Sequence, residues 1–288
     1  MSKTKPLADY MNLVVFSHTI FAMPFAVIGY FLAVKFADAQ FSWKLLLLVI
    51  ACMVTARSAA MGFNRYIDRE FDARNERTAN REIPAGVISA RSALLFVIIN
   101  SALFITATCF INDICFYLSP VALAVVLGYS YTKRFTALCH VVLGIGLALA
   151  PIGAWLAMTG YFAWLPLYYS FAVIFWVSGF DIIYALQDES FDRENRLHSI
   201  PAFLGKKGAL RVSEVFHVIS ACFIWFAGYE AGFGMWYCLG SGIYTALLIY
   251  QHSIVKPDDL SRVNRAFGTT NGIASVIFAV FVLLELFL

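Results

Sequence analysis

Charge is scarce in this chain of 288 residues: Asp, Glu, Lys and Arg make up 14% of it, against 61% hydrophobic residues and a mean hydropathy of +0.75. Soluble domains carry about 25% charged residues, so the composition excludes one of this length. No polar stretch between the apolar runs is long enough to fold separately, and one membrane domain over residues 1–288 is expected. The six cysteines, Cys52, Cys109, Cys115, Cys139, Cys222 and Cys238, form no CxxC pair and read as small buried hydrophobes. The N-terminal MSKTKPLADYMN lacks a small-residue cleavage site after a short apolar run, so no signal peptide is expected. A net charge of +3 says little by itself, and no nucleic-acid partner is expected.

What the chain has is apolar runs of about 20 residues, enough to cross a hydrocarbon core of about 30 Å. They predict an all-α integral membrane bundle of nine helices, near 10–34, 43–67, 90–111, 115–131, 138–159, 163–187, 209–230, 233–251 and 267–287. Connections at 67–90, 187–209 and 251–267 are long and polar, and the others mostly short. An odd count puts the termini on opposite sides. With the N-terminal segment and the even-to-odd loops on one side, that side carries all but Lys35 and Lys44 of the 21 basic residues. It is therefore the cytoplasmic side, with the N-terminus there and the C-terminus opposite.

Two stretches concentrate acidic oxygen on that side. In MGFNRYIDREFD, Asn64, Asp68 and Asp72 recur every four residues and share one face of a helix. In DIIYALQDESFD, Asp181, Asp188 and Asp192 are seven and four apart, again one helical face. Uncompensated charge at the end of a membrane helix is costly, so something must offset it. A hard divalent cation suits carboxylate and amide oxygens, most naturally Mg²⁺, which completes its shell with water and substrate phosphates. Two acidic stripes facing each other suggest two ions holding a diphosphate, whose departing charge they neutralise.

The basic residues nearby carry two readings each. Arg69, Arg74, Arg77 and Arg81 pair with the carboxylates, or bind diphosphate oxygens once metal holds the carboxylates. In GYSYTKRFT, Tyr129, Tyr131 and Lys133 suit interfacial anchoring, and Arg134 is a candidate ligand for a substrate carboxylate. Arg57, about two turns before Asn64, is a counterion to the acidic stripe or a contact to substrate phosphate. His18, His217, Glu214 and Asn271 are lone polar residues to which no chemistry is assigned. Pro84 and Gly86 predict a turn, and Ser89 an N-cap.

These stretches resemble the UbiA superfamily of intramembrane aromatic prenyltransferases. Asn64, Asp68 and Asp72 match its NDxxDxxxD motif, with Arg65 where the second letter is usually Asp. RTANREIPAG, Arg77 to Gly86, is similar to the family's RTANRPLPSG loop, and Asp188 with Asp192 matches DxxxD. Asp181 and Tyr184 precede these in a context like DxxYAxxD, and Tyr131 to Arg134 match YxKR. The resemblance covers nearly the whole chain and is greatest to 4-hydroxybenzoate polyprenyltransferases. It implies nine transmembrane helices around a central cavity in the plasma or inner membrane, Mg²⁺ dependence and an opening for an isoprenoid tail. It also implies transfer of a polyprenyl group to a ring carbon of an aromatic acid, in quinone biosynthesis.

On that mechanism, Asn64, Asp68 and Asp72 hold one Mg²⁺ and Asp188 with Asp192 a second. Lys133, Arg69, Arg77 and Arg193 add positive charge around the diphosphate. Arg134 holds the acceptor's carboxylate, and Asp181 or a water takes the ring proton. Phe and Tyr side chains suit an allylic cation. Other acceptors (dihydroxynaphthoate, homogentisate, a haem precursor or a glycerol lipid) remain open, as do an ion or solute transporter and a structural scaffold.

Overall fold

The computed structural model of the chain describes residues 6–14 and 21–288. Twelve α-helices and no strand occur among the described residues. They are α1 (Pro6–Leu13), α2 (Met23–Phe36), α3 (Trp43–Ile67), α4 (Arg69–Arg74), α5 (Ala90–Cys109) and α6 (Asp113–Thr132). There follow α7 (Cys139–Thr159), α8 (Trp164–Ala185), α9 (Glu189–Glu194), α10 (Ile200–Glu230), α11 (Met235–Ile254) and α12 (Asn271–Phe287). Lys3, Lys5, His18 and part of the first expected helix lie outside the described residues. Seven helical stretches are long and apolar enough to cross a membrane: α3, α5, α6, α7, the run Trp164–Glu194, α10 and the run Arg265–Phe287. The 14-residue α2 and the 20-residue α11 fall outside that set.

Side-chain caps end several helices where the sequence places them. The Ser89 hydroxyl accepts from the Ser92 N–H at 3.0 Å, and Ser42 and Asn112 do the same for α3 and α6. Gly86 makes the preceding turn with φ of 73°, a left-handed conformation that costs glycine little.

Aromatic packing fills the interior between α2, α7, α8, α10, α11 and α12. Phe25, Tyr169, Trp176, Tyr237, Tyr244 and Phe278 are all buried there. Asn271 belongs to this core: its Oδ1 accepts from Trp176 Nε1 at 2.8 Å and from Gln251 Nε2 at 2.7 Å. His217 Nδ1 lies 2.9 Å from His252 Nε2. Both contacts satisfy polar groups that burial would otherwise penalise.

The helices expected at 43–67 and 163–187 end where predicted, whereas the one expected from 209 differs in outline. The predicted loop 187–209 holds α9 and the first turn of α10, which breaks at Gly205, with φ of 69° and ψ of 170°. The chain folds back into helix on both sides of that glycine, so the helix predicted from 209 begins at Ile200. At the acidic stripes the chain turns just past the ends of α3 and α8, and these turns shape the site.

Candidate functional site

Both acidic stretches are broken helices. The α3 helix ends at Ile67, and Asp68, with φ of −88° and ψ of 3°, joins it to α4. Likewise α8 ends at Ala185, a tight turn spans Leu186–Asp188, and Asp188 leads into α9 with φ of −103° and ψ of 6°. The helix expected to carry Asp181, Asp188 and Asp192 is thus interrupted at Asp188, whose bridge-region backbone redirects the chain. The first stretch keeps its register better. Asp68 N–H donates to Asn64 O at 2.9 Å, Asp72 N–H to Asp68 O at 2.8 Å, and Asn64 Nδ2 to Asp68 Oδ2 at 2.9 Å.

Cations reach each carboxylate from elsewhere in the chain. Arg134 Nη2 lies 3.0 Å from Asp68 Oδ1 and also donates to Ile67 O. Lys133 Nζ, one residue earlier, lies 2.7 Å from Asp192 Oδ1. Adjacent residues in the segment between α6 and α7 thus touch both acidic stretches, which places the two stretches on either side of it. Arg81 Nη1 holds Asp72 Oδ1 at 2.7 Å, and Arg77 pairs with Asp188 through Nη2 and donates from Nε at 2.9 Å. Arg77 Nη1 also donates to the Tyr184 hydroxyl at 2.9 Å. Asn75 Nδ2 donates to Asp188 Oδ1 at 3.0 Å, and the Ser199 hydroxyl to Asp192 Oδ2 at 2.8 Å.

Burial pushes the Asp68 carboxyl up to about 6, against the pull of Arg134. Burial pulls the Lys133 ammonium down, but the nearby Asp192 carboxylate outweighs it and holds Lys133 above its ordinary value. Asp72, Asp188 and Asp192 are buried, so these pairs are specific contacts rather than a solvated charge cloud.

The donor set suits a small hard cation. Among the described residues no three His, Cys, Asp or Glu side chains converge as a ready-made cage. Each stretch instead offers two carboxylates, and Asp72 Oδ2 is buried without a hydrogen-bond partner. Magnesium typically takes one or two carboxylates and fills its shell with water and phosphate oxygens, so the residues present fit it.

An apolar cavity of about 360 Å³ lies beside these groups, lined by α3, α5, α6 and α7. Cys52, Met53, Phe104, Leu118 and Leu147 contribute to its wall, and Arg57 and Tyr129 are among its few polar members. Among the described residues Arg57 forms no ion pair with the acidic stripe, and its buried Nε has no hydrogen-bond partner.

The structure therefore gathers Asn64, Asp68, Asp72, Asp188, Asp192, Arg77, Lys133, Arg134 and Tyr184. It leaves three predicted residues at the margin. Arg69 donates to Tyr66 O at 2.7 Å, Arg193 is 61% exposed and pairs with Glu189, and the half-exposed Tyr131 meets Phe63 edge-on and touches the site only through its ring, 5.3 Å from the Arg134 guanidinium. Asp181 turns to His140, whose Nδ1 is 2.6 Å from Asp181 Oδ2. Asn75, His140 and Ser199 escaped the sequence analysis. Asn75 lies inside the loop whose arginines were singled out, whereas no spacing signal links His140 to Asp181.

A membrane-embedded helical bundle with two opposed acidic stretches, cations between them and a greasy cavity beside them is the architecture of an enzyme that handles an amphiphilic anion. Residues 22–281 match the UbiA prenyltransferase family, and the chain belongs to it. It is a prenyl-transferring enzyme. The 4-hydroxybenzoate octaprenyltransferase of Nitrosomonas europaea is 31% identical over 254 residues, 87% of this chain and 86% of that one. Its namesake from Aromatoleum aromaticum is 30% identical over 80% of this chain and 78% of its own. Among solved structures, a UbiA homologue from Aeropyrum pernix K1, in its apo form, superposes with a TM-score of 0.83. It is 33% identical and covers 93% of this chain and 98% of its own. A UbiA homologue from Archaeoglobus fulgidus, bound to GPP and Mg²⁺, shares the fold at a TM-score of 0.75 and 20% identity, covering 97% and 100% of the two chains.

Proposed function

We propose that the chain transfers a polyprenyl group from polyprenyl diphosphate to a ring carbon of an aromatic acid, 4-hydroxybenzoate or a close analogue, in quinone biosynthesis. The observation that carries this is the reach of Lys133 and Arg134, neighbours in sequence, to Asp192 on one acidic stretch and Asp68 on the other. That arrangement frames a space between two carboxylate sets with cations poised at both. The relatives named 4-hydroxybenzoate octaprenyltransferase support the acceptor, and the homologue bound to GPP and Mg²⁺ supports the donor and the metal.

Two Mg²⁺ ions are the proposed complement, with Asn64, Asp68 and Asp72 holding one and Asp188 with Asp192 the other. When bound, they neutralise the diphosphate as its bond to carbon breaks. Arg77, Arg81 and Lys133, which pair with Asp188, Asp72 and Asp192, would bind diphosphate oxygens. The role in acceptor binding falls to Arg134, which has a guanidinium fork suited to a carboxylate. Asp181 takes the ring proton. The isoprenoid tail lies in the apolar cavity, where exclusion of water protects the allylic cation.

The fold is proposed to span the bilayer nine times as a single domain over residues 1–288. The 20-residue α11 is about 30 Å long, enough to cross, and α2 completes the count. The basic loops and the N-terminus face the cytoplasm and the C-terminus the opposite side of the plasma or inner membrane. Purified protein in detergent should consume a prenyl diphosphate only with Mg²⁺, and EDTA should abolish that consumption. Undiminished consumption under EDTA would remove the metal from the mechanism, and ion flux in liposomes without any turnover would revive the transport alternative.

A further inference from the structure

His140 begins α7 beneath the second acidic stretch, and its position follows from how closely α7 and α8 pack. One turn further along α7, a Cβ on Gly144 would lie 2.5 Å from Ile174 O and 2.8 Å from Ser178 Oγ. Only glycine permits that approach. Ile174, Ser178 and Asp181 follow one face of α8, so the same contact brings His140 against Asp181. Ser178 Oγ donates to Ile174 O at 2.6 Å and lies 3.2 Å from His140 O, closing the seam.

The hydrogen bonds assign the tautomer of the imidazole. Ile200 N–H, the first of α10, donates to His140 Nε2 at 3.3 Å. A nitrogen that accepts carries no proton, so the ring proton is on Nδ1, which faces Asp181 Oδ2 at 2.6 Å. His140 itself is 2% exposed, while the Asp181 side chain keeps 23% of its surface accessible. With Oδ2 engaged, Oδ1 is the oxygen available to a reactant. Asp181 also lies within electrostatic reach of Tyr129, which lines the apolar cavity with Arg57.

We propose that His140 is a positioning residue for the transfer reaction, donating from Nδ1 to Asp181 so that this carboxylate is turned to receive the ring proton of the acceptor. It rests on the reaction proposed above. In that step the C–H bond at the substituted ring carbon breaks, its electron pair restores the aromatic ring, and the proton passes to Asp181 Oδ1. No oxidant or reductant is required. Because Nε2 is committed to Ile200, the histidine orients the base and does not relay the proton. The same ring steadies the start of α10 at Ile200, beside Ser199, which holds Asp192.

Two isosteric variants separate the halves of the imidazole. Asn in His140→Asn places an amide donor near the Nδ1 position and forfeits the acceptor for Ile200, whereas Gln in His140→Gln does the reverse. The readouts are kcat, both KM values, and the rate with acceptor deuterated at the reacting ring carbon. His140→Gln should lower kcat by about 10- to 100-fold with both KM values within about twofold, and should raise the deuterium isotope effect as proton removal becomes limiting. His140→Asn should keep kcat within about threefold and the native isotope effect. Equal losses in both variants with an unchanged isotope effect would mean a merely structural histidine and overturn the proposal, as would native behaviour of His140→Gln. Should His140→Gln not fold, His140→Asn decides: retained rate supports the proposal and a collapse in rate overturns it. Native enzyme that makes no ring-prenylated product would overturn the reaction itself; product from native enzyme beside an unaffected His140→Gln would overturn the role of His140 alone.

Discussion

Asp68 and Asp188 each accept from an amide, Asn64 and Asn75 respectively, and each faces an arginine. An asparagine in either place keeps the shape and one accepting oxygen, but it turns the other oxygen into a donor and loses the charge a metal requires. Asp68→Asn and Asp188→Asn should therefore fold in detergent and lose turnover by about 100-fold or more. Near-native rates in both, measured by product formation, would remove the two-ion arrangement. Arg134→Ala should raise the KM for the acceptor about tenfold and change the donor KM less, since a lost charge-assisted contact is worth about 1.5–3 kcal/mol. An unchanged acceptor KM would take that role from Arg134. At this scale the sequence showed the candidate oxygens well, because four-residue spacing of Asn64, Asp68 and Asp72 is a local pattern. It could not show their partners: Asn75 meets Asp188 across 113 positions and His140 meets Asp181 across 41, and no local pattern encodes such a contact.

Among the elements, most long apolar helices were legible within a few residues, the first and the start of α10 excepted, and the short ones were not. Six-residue helices such as α4 and α9 are too brief to show a period, and they are stable only through the ion pairs and packing around them. The helix breaks at Asp68 and Asp188 were hidden for a related reason, as aspartate does not announce a break in the way proline does. Glycine announced one poorly: Gly205 interrupts α10 with a backbone conformation nearly confined to glycine. Gly205→Ala should therefore destabilise the protein by about 1–3 kcal/mol, read as a lower thermal midpoint in detergent. An unchanged midpoint would show that the kink relaxes into continuous helix at no cost.

For the molecule as a whole, the asymmetry of charge was the most informative feature of the sequence. Basic residues gather with both acidic stretches, and the bundle buries its aromatic core away from them, in α2, α7, α8, α10, α11 and α12. The cavity has an apolar wall and a few polar groups, as a reaction between a greasy diphosphate and a small polar ring requires. Family membership fixes prenyl transfer, and the acceptor is the central claim to be tested. Membranes containing the protein should be given Mg²⁺, a labelled polyprenyl diphosphate and a panel of aromatic acids, with products identified by mass spectrometry. The account predicts ring-prenylated 4-hydroxybenzoate or a close analogue; label transferred only to a non-aromatic acceptor, or to none of the panel while diphosphate is released, would contradict it.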